Sequence, residues 1–139
     1  MFTEWNEKLV AALAEPFPPE YHKTKVVDKR SGATVSFVPW WRYVERLNVL
    51  VGGGWSMGTP IAQNVGAKIV VFLPITILGV TRVNCGDEEE EDGEVVVNKQ
   101  TGEEEEKRKM FGTPATNAYA QAFKRTCALY GMGLVESYD

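Results

Sequence analysis

Between Asp87 and Glu106 the chain carries eleven acidic residues against a single base, Lys99. A stretch with a net charge of −10 repels itself and cannot be packed into an apolar interior. It splits the 139-residue chain into a longer block before it and a shorter one after it, and those two blocks must supply the core. Outside the segment, 14 bases face 8 acids, so the foldable part carries +6 although the whole chain carries −4. Inside it, Asp92-Gly93 and Thr101-Gly102 are turn signals around Val95-Val96-Val97. The pattern predicts one domain over residues 1–139 with a protruding, mobile acidic insertion at about 86–109 that holds a short hairpin strand. Such a segment is a solvated loop, a screen over a basic surface, or a site for a partner.

The remaining composition, 44% hydrophobic and 24% charged, is that of an ordinary globular chain. The longest apolar run, Ile69 to Val80, is interrupted by Pro74 and Thr76 and is too short to cross a membrane as a helix. Met1 to Ala14 reads as an amphipathic segment rather than a leader. Cys85 and Cys127 match no metal or redox spacing, and they fit a reduced, cytoplasmic chain. With one histidine, His22, no multi-histidine metal site can form within one chain. No metal or cofactor is expected.

Thr3 reads as an N-cap before Trp5, Leu9, Ala12 and Leu13 at helical spacing, and Pro16-Phe17-Pro18-Pro19 ends that helix. Lys23 to Val27 and Ala33 to Val38 form a hairpin around Asp28-Lys29-Arg30-Ser31-Gly32. Pro39 suits the first position of a helix over Trp40 to Val51, which Gly52-Gly53-Gly54 stops. Trp55 opens a strand or loop to about Thr59. Lys68 to Val83 reads as one or two strands, broken or bulged near Pro74. Thr113-Pro114 starts a last helix that runs to about Tyr130. Strands in a block followed by a helix predict an α+β fold, an antiparallel sheet packed against a long C-terminal helix.

Two helices carry basic faces. On the last, Ala115, Ala118, Tyr119, Ala122, Phe123, Thr126, Leu129 and Tyr130 share one arc, with Asn117, Gln121, Lys124, Arg125 and Ala128 opposite. No Asp or Glu occurs from Lys107 to Val135, whereas a plainly solvated face mixes signs. Such a face accepts a polyanion, its amides reaching phosphates or bases; the plainer role for Lys124 and Arg125 is to complement the helix dipole. Lys107, Arg108 and Lys109 stand just ahead of it. On the middle helix Arg42 and Arg46 lie opposite the stripe of Trp40, Tyr43, Val44, Leu47, Leu50 and Val51, with Glu45 close enough to pair with either. Lys23, Lys25, Lys29 and Arg30 add four cations on the hairpin. Trp41 lies off the stripe and is expected to pack in the core under the hairpin, stacking on a base being the other role.

Catalytic signatures are missing from the sequence. It has no phosphate loop and no Gly-x-Ser-x-Gly elbow. A metal-dependent nuclease would have to draw on the scattered Glu20, Asp28 and Glu45, and an interaction module would use the acidic insertion instead.

Four segments together, "PFPPEYHK", "WWRYVERLNVLVGGGW", "LPITILGVTRVNCGD" and "ATNAYAQAFKRTCALYGMG", resemble the Rad-fifty-two-like single-strand annealing superfamily, in the style of bacterial DNA-damage-response A proteins and phage annealases. The resemblance covers about Pro16 to Leu134. It implies a ring or helical homo-oligomer that binds single-stranded DNA in a basic groove and pairs complementary strands in recombination and repair without ATP. Arg42 falls on the family's groove arginine, and Lys124 and Arg125 fall on its basic pair. Ala128 stands where eukaryotic members carry a further arginine, and the acidic insertion is longer than the hairpin turn usual there. The resemblance also places single-strand-coating proteins and recombinases among the partners, which larger relatives bind through a carboxy-terminal extension that these residues do not include.

Overall fold

Alternation along one strand fixes where the core lies. The computed structural model describes residues 1–89, 94–97, 104–107 and 114–134. Its elements are α1 (Glu7–Ala14), β1 (Lys23–Asp28), β2 (Ala33–Phe37), α2 (Trp40–Val51), β3 (Trp55–Met57), β4 (Ile61–Val65), β5 (Lys68–Ile77), β6 (Val80–Glu89), β7 (Glu94–Val97), β8 (Glu104–Lys107) and α3 (Pro114–Ala128). In β5, Val71, Leu73, Ile75 and Ile77 are buried and the residues between them are not. The buried row meets Leu9 and Leu13 of α1, Phe17, Tyr43 and Leu47 of α2, and Ala118, Ala122, Phe123 and Cys127 of α3. The fold is α+β, with antiparallel pairing throughout and a C-terminal helix.

The main sheet has β5 at its centre, β6 along one side, and β3 and β4 end to end along the other. Pro74 does not break β5. Its carbonyl accepts the N–H of Gly58 at 3.0 Å, so its missing N–H faces the gap between β3 and β4. The register slips by one residue across that gap, from Met57 opposite Ile75 to Ile61 opposite Phe72. The interruption expected in β5 therefore sits in the neighbouring strand, where a proline costs no ladder bond. Leu78 and Gly79, both at positive φ, make the tight turn from β5 to β6.

Helix α3 lies across β5 and β6, and Gly86 is the crossing point: a Cβ there would stand 2.4 Å from the Ala118 carbonyl oxygen. Two hydroxyls lock the contact. Thr126 Oγ1 donates to the Leu73 carbonyl at 2.8 Å and accepts the Asn84 N–H at 3.1 Å, and the Tyr130 hydroxyl lies 2.7 Å from the carbonyls of Ile75 and Val80.

Several boundaries differ from expectation. Helix α1 begins after Asn6, whose side chain accepts the Leu9 N–H at 2.8 Å, so Thr3 is not its cap. Pro39 stands at the N-cap of α2, one position before the first turn. Strand β4 is an element the sequence reading lacked. Residues 86–89, expected in the insertion, complete β6. Beyond them, β7 and β8 pair as a hairpin that holds the valine run. Thr113, the expected cap of α3, lies outside the described residues. Among the described residues no helix is long and apolar enough to cross a membrane.

Candidate nucleic-acid interface

The β1–β2 hairpin places Lys23 and Lys25 on one face by the period of two, and its register sets Lys23 opposite Phe37 and Lys25 opposite Val35. Almost every residue of the hairpin is exposed. Its aromatic base holds the cations. Lys25 Nζ lies 5.4 Å from the centre of the Phe37 ring, and Lys23 Nζ lies 5.7 Å from that of Trp41. Arg42, at the start of α2, stands 3.8 Å over Tyr21 and 4.2 Å over Trp41, with Nη1 3.0 Å from Glu45. Lys124 rises from α3 to the same place, 5.5 Å from Phe37, and donates to the Val38 carbonyl at 3.3 Å.

Four cations from three separate segments thus converge on Tyr21, Phe37 and Trp41. Each such pairing contributes roughly 0.5–2 kcal/mol by attraction to the ring quadrupole, and it leaves the ammonium able to take an anion. Among the described residues neither Lys23 nor Lys25 has a carboxylate partner. The strain of crowding shows on Lys124. Burial, then the charge of Lys25, pull its pKa down to about 8. A phosphate placed among these groups would relieve that penalty, because it favours the charged form.

The other expected residues lie elsewhere. Arg46 turns beneath the end of α1, stacks 4.0 Å over Phe17, and donates to the carbonyls of Leu13, Glu15 and Pro16. It satisfies the carbonyls that every helix end leaves unpaired. Arg125 reaches the edge of β6, with Nη1 3.3 Å from the Cys85 carbonyl and 3.6 Å from Asp87. Gln121 accepts the Asp87 N–H at 2.6 Å, and Asn117 is half-buried on α3. The face opposite the apolar arc of α3 is therefore not open: Ala128 is buried, while Tyr119 and Leu129 of the supposed apolar arc are exposed. Lys29 and Arg30 sit at the exposed hairpin turn, where the Arg30 N–H bonds to Asp28 at 2.9 Å. That bond, with those from Ser31, lowers the Asp28 pKa. Lys107 pairs with Glu94 in the β7–β8 ladder; Arg108 and Lys109 lie outside the described residues.

Trp41, expected in the core, is 38% exposed and carries cations on its ring. Tyr21 and Phe37 went unnoticed as platforms. The alternation of β1 and β2 held the signal for Phe37, since it shares a face with the two lysines. Glu20, Asp28 and Glu45 form no cluster, and among the described residues no three His, Cys, Asp or Glu side chains stand close enough to hold a metal. Comparison with protein-family models, with curated proteins and with solved structures finds no match to this chain.

Proposed function

We propose that the chain binds single-stranded DNA along the hairpin and the aromatic platform beside it, and promotes pairing of complementary strands without ATP. The observation that carries this reading is the convergence of Lys23, Lys25, Arg42 and Lys124 on three aromatic rings. Cations neutralise phosphates and release counterions, while exposed rings such as Trp41 accept bases by stacking, without sequence preference. Annealing requires no bond chemistry: the protein holds a strand extended and lowers the repulsion between two polyanions. A homo-oligomer, ring or helix, would join these patches into a track and add avidity.

The test is binding of a labelled oligonucleotide across a salt series, with strand pairing followed in the absence of nucleotide. Each phosphate contact contributes about −0.7 to the slope of log K against log salt for single strands, so Lys25→Ala with Lys124→Ala should flatten it by about 1.4. Unchanged affinity and slope in the double variant would refute the site. A chain that binds no oligonucleotide even at low salt would favour a protein-interaction role for the acidic segment.

A further inference from the structure

Lys124 differs from the hairpin lysines. Lys23 and Lys25 are exposed, whereas Lys124 is half-buried and its Nζ donates to the carbonyl of Val38, a residue of the core. It shares the Phe37 ring with Lys25, the two nitrogens lying 5.5 and 5.4 Å from the ring centre. Lys23 and Arg42 share the Trp41 ring, at 5.7 and 4.2 Å. Glu45 is the carboxylate that approaches the group, and Arg42 already bonds it at 3.0 Å. Burial and then the Lys25 charge hold the pKa of Lys124 at about 8, so near pH 8 about half of these amines are neutral. At the ordinary value of 10.5 the neutral fraction there is only about 0.3%. Desolvation beside another cation turns a lysine amine into a nucleophile.

We propose that Lys124 reversibly binds carbon dioxide as a carbamate, held by the cations gathered around it. Access and product both select the reagent. A half-buried amine admits a small uncharged molecule more readily than a bulky or strongly hydrated one. The Nζ lone pair forms the C–N bond, a C=O π pair moves onto oxygen, and Nζ releases a proton to water. The step needs no leaving group and no co-reactant. Its product puts an anion where one of four crowded cations stood, and the charges of Lys23, Lys25 and Arg42 favour that anion. Like-charge repulsion thus becomes attraction. The N–H that Nζ keeps still donates to Val38. A platform so modified loses pull on other anions, which makes it responsive to dissolved carbon dioxide. The proposal does not depend on the DNA reading.

The experiment is carbon-13 NMR of the intact chain at about pH 8 under labelled carbon dioxide and bicarbonate. It contains no nucleic acid, so it stands apart from the binding assay. Trapping with triethyloxonium, followed by peptide mass spectrometry, assigns each carbamate to its amine. The level on Lys124 should exceed that on the exposed Lys8 of α1 by at least about tenfold, and it should vanish when the gas is removed. Lys124→Arg should abolish that resonance with an unchanged circular dichroism spectrum. Lys25→Met should lower it at least about threefold, because it removes a charge that favours the neutral amine and holds the product. Lys25→Arg should preserve it, which separates the charge from the packing of the hairpin. No carbamate, a carbamate on the Met1 α-amine alone, or equal levels on Lys8 and Lys124 would overturn the proposal. A Lys124 level unmoved in Lys25→Met would do the same.

Discussion

On the proposed reading of this site, Lys124 should make the binding of DNA depend on pH. Its ammonium is held at a pKa of about 8, against an ordinary 10.5, by burial and by the charge of Lys25. A phosphate beside it restores the charged form, so the bound state takes up a proton that the unbound protein has lost. If the bound value returns to 10.5, affinity falls about tenfold between about pH 7 and about pH 9, approaching one proton per site. Fluorescence anisotropy with an oligodeoxyadenylate reads this directly, since adenine loses no proton in that range. Lys124→Arg should keep the affinity at neutral pH and abolish the fall. A wild-type affinity flat to pH 9, or an equal fall in Lys124→Arg, would refute the reasoning.

Other consequences follow from the same contacts. The lowered Lys124 pKa means that between about pH 8 and 10.5 the unfolded chain holds a proton that the folded one does not. Stability therefore rises with pH through that window, and thermal unfolding should show it; Lys124→Met should raise stability at neutral pH by up to about 3 kcal/mol and remove the trend. Gly86→Ala should cost at least about 3 kcal/mol in denaturant unfolding, because α3 must lift from β6 to admit the methyl group. Arg46→Met should cost about 2 kcal/mol by leaving the α1 carbonyls without their donor, yet leave the salt slope of DNA binding unaltered.

What was legible in the sequence followed from local pattern. The β1–β2 hairpin, α2 and α3 announce themselves through period, turn residues and prolines, and these are forces that act within a few residues. Strand β4 escaped because Ile61-Ala62-Gln63-Asn64-Val65 shows little alternation and forms only by pairing with β5. Pro74 was misplaced for the same reason: which neighbour its missing N–H faces is a property of the sheet, not of the strand. In the site, Lys23, Lys25, Arg42 and Lys124 could be named one by one, but their meeting depends on Phe37 and Val38 lying over α3. Arg46, Arg125 and Gln121 looked open because helical periodicity gives one buried face. Helix α3 is packed on more than one side, and long polar side chains there bond to backbone the sequence does not show.

The most direct measurement is lysine acetylation footprinting by mass spectrometry, with and without a single-stranded oligonucleotide. Lys23, Lys25 and Lys124 should lose reactivity together as DNA saturates the protein, and Lys8 on α1 should not. Protection confined to other lysines, or spread evenly over all of them, would contradict a DNA site built on the hairpin platform.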